Sequence, residues 1–218
     1  GVQTCALPIY TTGNYNTAIG YNAYAVSGTA ATATYNTAVG HVALNQNTTG
    51  DYNTALGARA LELNSTGYQN IAVGYMALNS NTTGYYNAAS GLQSMRYNTT
   101  GTYNAAYGYT ALYSNTTGNY NTALGSSALG NNTTASQNTA VGYQALYSNA
   151  TGGGTVAIGY KAGYSVTVPA TSWGSTFVGA SAGQDVTGTD NTFIGAYAGR
   201  QQTDRKSTRL NSSHITIS

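Results

Sequence analysis

The apolar positions of this chain recur with a period of seventeen residues. A glycine that closes a short run, usually Ala followed by an aliphatic residue, sets the phase. It stands at Gly20, Gly40, Gly57, Gly74, Gly91, Gly108, Gly125, Gly142, Gly159, Gly179 and Gly195. The spacings are 20, then 17 seven times, then 20 and 16. The cleanest unit, Gly108 to Leu124, reads GYTALYSNTTGNYNTAL. A fixed period of this kind marks a repeat architecture, in which one short structural unit stacks on its copies.

The units are not helical. Each holds two glycines and several Asn and Thr, which compete with a helix for local backbone bonds. No apolar stripe survives at i, i+3, i+4 and i+7. Runs of five or six residues bounded by glycine and rich in Thr, Tyr and Val suit short strands. The N-T-T-G segment supplies a turn, with Asn and Gly as the residues that accept left-handed backbone. A second corner falls at the phase glycine. The prediction is an all-β chain, a parallel β-solenoid (β-roll) of about ten 17-residue coils.

Alternation within Tyr120-Asn121-Thr122-Ala123-Leu124 puts Tyr120, Thr122 and Leu124 on one face and Asn121 and Ala123 on the other. The aliphatic member of this set, with its equivalents Leu56, Val73, Val141, Ile158, Val178 and Ile194, is expected to face inward. Ser90 and Tyr107 interrupt that column. A second apolar column runs through Leu44, Leu61, Leu78, Met95, Leu112, Leu129 and Leu146. A small residue precedes each: Ala43, Ala60, Ala77, Ser94, Ala111, Ala128 and Ala145. The variable positions Val42, Arg59, Met76, Gln93, Thr110, Ser127, Gln144 and Lys161 are expected to face solvent.

One coil buries about two aliphatic side chains, each worth ~1.5–3 kcal/mol. Ordering its backbone costs about 1–2 kcal/mol per residue. A lone coil therefore cannot fold, and stacking must supply the difference. Stacking also places identical residues ~4.8 Å apart, so Asn and Tyr columns become ladders. The narrow core implies burial of one face against other copies, with a homotrimer around a threefold axis as the expected assembly. A monomeric solenoid that buries both aliphatic columns is the alternative.

Composition narrows the function. Only 12 of 218 side chains are charged, 7 basic and 5 acidic, so no patch can neutralise a run of phosphates and nucleic acid is not an expected partner. No apolar run reaches about 18 residues, so no membrane insertion is expected within the chain. A single cysteine makes no disulfide framework. The two ends read differently from the repeat. Residues 1–9 (GVQTCALPI) resemble a translated reading frame of a common sequencing-library adapter, and residues 204–218 (DRKSTRLNSSHITIS) resemble its reverse complement. The expected division is 1–9 and 204–218 as foreign segments around a repeat domain at 10–203, itself an internal fragment. That domain holds four basic residues (Arg59, Arg96, Lys161, Arg200) and four acidic ones (Asp51, Glu62, Asp185, Asp190).

The block Thr155-Val156-Ala157-Ile158-Gly159 resembles the S-V-A-I-G core of YadA-like head repeats in trimeric autotransporter adhesins. Thr192-Phe193-Ile194-Gly195 and Asn138-Thr139-Ala140-Val141-Gly142 are looser versions, and similar repeats recur in bacterial surface proteins and phage tail-fibre-like proteins. The resemblance spans nearly all of residues 11–200, although this chain's period is longer than that family's usual coil. It implies a left-handed parallel β-roll, usually trimeric, displayed on a bacterial cell surface or a virion tail. No family binding residue transfers. The expected function is a structural and adhesive segment of an extracellular fibre, acting by repeated surface presentation. The alternatives are a phage tail-fibre shaft and an ice-binding solenoid.

Candidate chemistry is sparse, and no catalytic residue, cofactor or metal site is assigned. His41 stands where other units have Tyr75, Tyr109 or Tyr143, which suits a ladder substitution better than a general base. Asp51 and Glu62 lie at unlike phases, unsuited to a glycosidase pair. Asp185 and Asp190 bracket a turn without the spacing of a calcium loop. Asn47, Asn64, Asn81, Asn98, Asn115, Asn132 and Asn149 occupy N-x-T triplets, the glycosylation pattern. Stacking would bring them within ~5 Å of one another, so they read as turn residues. Paired Thr48-Thr49, Thr82-Thr83 and Thr116-Thr117 point to opposite sides, unlike an ice-matching face. The lengthened unit Gly159 to Val178 carries Pro169 and Trp173, which mark a bulging loop and the candidate ligand contacts. The outside partner expected there is a host or cell-surface glycan or protein.

Overall fold

The structure, a computed structural model, describes residues 12–25, 31–166, 174–188, 190–202 and 208–210. Its strands are β1 (Thr17–Ile19), β2 (Thr37–Val39), β3 (Thr54–Leu56), β4 (Ile71–Val73), β5 (Ala88–Ser90), β6 (Ala105–Tyr107) and β7 (Thr122–Leu124), followed by β8 (Thr139–Val141), β9 (Val156–Ile158), β10 (Thr176–Val178), β11 (Asp185–Val186), β12 (Thr192–Ile194), β13 (Gln201–Gln202) and β14 (Thr208–Leu210). Twelve of them form one parallel sheet in the order β1 to β10, β12, β14, and β11 pairs with β13 in a second, two-stranded sheet. No helix occurs among the described residues. The chain is a β-solenoid of about ten turns.

Register follows the repeat. Thr122 pairs with Thr139, Ala123 with Ala140 and Leu124 with Val141. The longer unit keeps the same alignment, with Val156 opposite Thr176 and Ile158 opposite Val178. β14, within residues 204–218, extends the ladder by pairing Phe193 with Arg209. Backbone bonds join coils on every wall, not only in the sheet. Thr122 donates to the Asn138 carbonyl (2.8 Å), Leu112 to Ala128 (2.9 Å), Thr116 to Thr133 (2.8 Å) and Ser127 to Tyr109 (2.8 Å).

Face polarity differs from the sequence expectation. Tyr120, Thr122 and Leu124 do share a face, but it points outward; Leu124 is 49% exposed. Leu56, Ile158 and Ile194 are likewise exposed, and Val73, Val141 and Val178 are half-buried. The inward strand column is alanine, from Ala38 through Ala55, Ala72, Ala89, Ala106, Ala123 and Ala140 to Ala157, all sealed from solvent. The reason is volume. The coil is wide enough for one large side chain per level, and Leu44, Leu61, Leu78, Met95, Leu112, Leu129 and Leu146 take that place, fully buried. A second inward leucine on the strand would overpack it. Ser90 and Tyr107 are therefore not defects in a core but substitutions on an outer surface. The variable positions are half-exposed except Met76, which is buried.

The last coils invert the packing. Phe177 and Phe193 replace the inward alanine, and Gly163, Gly183 and Gly199 replace the facing leucine. A Cβ built on Gly183 or Gly199 would run into the Phe177 or Phe193 ring. Large and small have exchanged walls while the filled volume is kept, as close packing requires.

The corners also differ from expectation. The glycine of N-T-T-G is not in left-handed backbone; a Cβ there would collide with the carbonyl of the next coil and the preceding Asn side chain. Left-handed backbone instead falls at Thr110 (φ 48°), Leu112 (φ 53°) and Tyr120 (φ 57°), and at their equivalents along the chain. Each such non-glycine residue costs of order 1–3 kcal/mol and persists only where its surroundings over-determine it. Here the inter-coil ladders on both sides do so. The phase glycine meets its expected role: Gly108 has φ 135°, and a Cβ there would approach the Gly125 carbonyl carbon to 2.7 Å.

Candidate functional site

Two asparagine columns line the interior and use up their own polarity. In the first, the Asn115 Nδ2 donates to Asn98 Oδ1 (2.7 Å) and to the Gly118 carbonyl (3.0 Å), and the pattern runs from Asn47 to Asn132. In the second, the Asn121 backbone N–H donates to Asn104 Oδ1 (2.9 Å), and Asn121 Nδ2 donates to the Ala135 carbonyl (2.8 Å). Both columns are buried. The N-x-T asparagines of the column from Asn47 to Asn149 are thus turn-closing interior residues, with their amides withheld from glycosylation.

The outer surface is aromatic and hydroxylic rather than charged. Tyr86, Tyr103 and Tyr120 stack with ring centroids 4.9 and 5.0 Å apart. Tyr15, Tyr35 and Tyr52 repeat this at 4.9 and 5.0 Å. His41 is exposed and stacks on Tyr21 at 5.5 Å, so it takes a tyrosine's place in a ladder. Thr116 and Thr133 turn their hydroxyls onto carbonyls of the next coil (3.1 and 3.0 Å), while Thr117 and Thr134 point to solvent. The central rank of the sheet's outer face is Thr at Thr54, Thr122 and Thr139 but is broken by Ile71, Ala88, Ala105 and Val156.

The acidic groups are dispersed into structural contacts. Asp51 Oδ1 accepts from the Thr34 backbone (2.6 Å) and hydroxyl (3.2 Å) one coil away. Glu62 pairs with Arg59 (2.7 Å) and accepts from Asn79 Nδ2 (2.9 Å). Burial pulls the Glu62 carboxyl upward, but the hydrogen bonds from Arg59 and Asn79 and the Arg59 charge outweigh it and hold the group below the ordinary glutamate value. Asp185 lies in β11 and Asp190 at a left-handed corner (φ 61°), both exposed. Among the described residues no three His, Cys, Asp or Glu come together as metal ligands. Pro169 and Trp173 lie outside the described residues.

Two arrangements were not read from the sequence. One is the exposed apolar face of the sheet, described above. The other is a side-chain cluster on the turn side. Arg96 lies over the Tyr97 ring (5.0 Å) and donates to the Tyr113 hydroxyl (3.3 Å). Tyr113 in turn donates to the Tyr97 hydroxyl (3.5 Å), and that bond, before burial, raises the Tyr113 phenol above its usual value. Tyr97 and Tyr113 are sixteen residues apart, one step off the repeat, so a search along phase columns passes over them. Comparisons with protein-family models, curated proteins and solved structures returned no match for this chain.

Proposed function

We propose that the chain is a non-catalytic structural and adhesive segment of an extracellular fibre, and that copies of it associate side by side, as a homotrimer, through the outer face of the long sheet. The observation that carries this reading is the exposed aliphatic column. Ile19, Leu56, Leu124, Ile158 and Ile194 stand between 42 and 52% exposed, in line along one face. Full burial of such a side chain is worth ~1.5–3 kcal/mol, so half-burial leaves about half of that for a partner at each position. An exposed apolar column of this kind, broken at Ser90, marks an interaction site in soluble proteins. The face is also nearly uncharged, so little desolvation opposes docking.

The rest of the surface suits presentation rather than chemistry. Tyrosine and threonine repeat along the axis at the coil spacing, and a host or cell-surface glycan or protein would meet many equivalent weak contacts. Linked weak contacts raise avidity by ~10²–10⁴ without a deep pocket. Sedimentation of the full chain tests the assembly. Trimers at micromolar concentration are expected, and Leu124→Asp with Ile158→Asp should release folded monomers. A wild-type chain that is folded and monomeric at that concentration refutes the reading.

A further inference from the structure

Most tyrosines of the ladders lie ring over ring. The Tyr35–Tyr52 planes are 2° apart, Tyr103–Tyr120 8° and Tyr147–Tyr164 6°. Tyr85 meets Tyr86 and Tyr103 edge-on instead, at 73° and 77° with centroids 5.6 and 5.7 Å apart, and Tyr97 and Tyr113 are edge-on as well, but closer together and joined through their hydroxyls. Their centroids are 4.9 Å apart, their planes meet at 81°, and the Tyr113 hydroxyl donates to the Tyr97 hydroxyl at 3.5 Å. We propose that Tyr97 and Tyr113 form an oxidative cross-linking site, joined as dityrosine by a peroxide-consuming peroxidase acting from outside the protein.

The geometry selects this pair. Dityrosine is a biphenol: a bond between ring carbons next to the two hydroxyl-bearing carbons, with the rings twisted and the hydroxyls adjacent. Hydroxyls already in contact, on rings that are far from parallel, resemble that product. Parallel stacked rings do not, because each would have to rotate out of its ladder before the bonding carbons could meet edge to edge. Tyr97 is exposed and Tyr113 half-buried, so both can be oxidised where they stand. Arg96 sits over one ring and donates to the other hydroxyl, where its charge would stabilise a phenolate of the product.

The step balances. Each phenol gives up one electron and its hydroxyl proton, which leaves two phenoxyl radicals with spin on the ring carbons beside the oxygen. A carbon–carbon bond forms between one such carbon of Tyr97 and one of Tyr113. The two ring hydrogens at the new bond then move, as protons, to the oxygens and restore both hydroxyls. The net loss is two electrons and two protons, and one hydrogen peroxide takes them up as two waters. The product ties one coil to the next and closes a short loop, which restrains the unfolded chain.

The test uses the full chain, dilute, with hydrogen peroxide and a soluble peroxidase. Dityrosine fluorescence, a mass loss of two hydrogens per chain and fragmentation spectra locate the bond. An intrachain Tyr97–Tyr113 bond is expected. Tyr97→Phe and Tyr113→Phe keep the rings and should each lose it, while Tyr147→Phe, in a stacked pair, should keep it. Circular dichroism checks that all variants remain folded. The oxidised wild type should melt higher than the untreated protein, and oxidised Tyr113→Phe should not. Absence of dityrosine, bonds found only between chains or at stacked pairs, or a yield unchanged in folded Tyr113→Phe overturns the proposal.

Discussion

Phe177→Ala and Gly183→Leu should each unfold the solenoid more readily, and should partly repair one another when combined. Phe177 fills the coil from the strand side, and Gly183 faces it across the interior. Truncating a buried phenylalanine to alanine costs about 3–5 kcal/mol, through lost burial and the cavity left behind. Gly183→Leu alone drives a side chain into the Phe177 ring. Overpacking of this kind costs about 1–3 kcal/mol or more. Together the two changes rebuild the alanine–leucine pairing of Ala123 with Leu129, seen in the earlier coils. The backbone is already suitable, since Gly183 has φ 56° and Leu112 and Leu129 sit at 53° and 52°. Recovery should be incomplete, because Phe177 also packs on Gly163. Urea unfolding followed by far-ultraviolet circular dichroism, with matched m values, measures all four proteins. A favourable coupling of about 1–3 kcal/mol is expected for groups in direct contact. Losses that add within ~0.5 kcal/mol would show that the two residues are independent, and the exchange of large and small walls would then not be the packing rule.

Other perturbations address the ladders and corners. Asn104→Ala deprives the Asn121 N–H of its partner, at about 1–3 kcal/mol for the orphaned group, and leaves the Gly118 carbonyl with Asn115 alone of its two side-chain donors. A change under ~0.5 kcal/mol in urea would contradict the ladder's role. Gly108→Ala meets both a φ of 135° and the Gly125 carbonyl carbon at 2.7 Å. It should cost at least ~1–3 kcal/mol, read as a lowered melting temperature. Glu62 gives a pH signature: its folded-state pKa lies below the ordinary value, so its stabilisation is complete above the unfolded pKa and fades as pH falls through the lowered one. Glu62→Gln should flatten that part of the acid stability profile, and a profile identical to wild type would refute the assignment.

The repeat made much of this fold legible. The seventeen-residue phase predicted which residues stack, and Thr122 over Thr139 and Asn115 over Asn98 follow it. The buried column from Leu44 to Leu146 was readable because a small residue precedes each member. The strand's polarity was not. Alternation separates Ala123 from Leu124 but is symmetric between inside and outside, and aliphatic character argued for the wrong side. The Phe177–Gly183 exchange left a trace in sequence, a phenylalanine and a glycine appearing together in the same units, yet only the facing walls show that they touch. The Tyr97–Tyr113 contact left none, since it runs diagonally between coils.

Periodicity by itself determined the architecture. Equal units repeated along a chain can satisfy their backbone bonds by lying in register, and no helix-forming pattern competes. What only the tertiary structure decided is the orientation of each strand and the chemistry of the surface. Both depend on how much volume a closed coil holds, and that is a property of two walls facing each other rather than of either wall's sequence. With one leucine filling the space, the strand must turn alanine inward and present its larger residues to the outside.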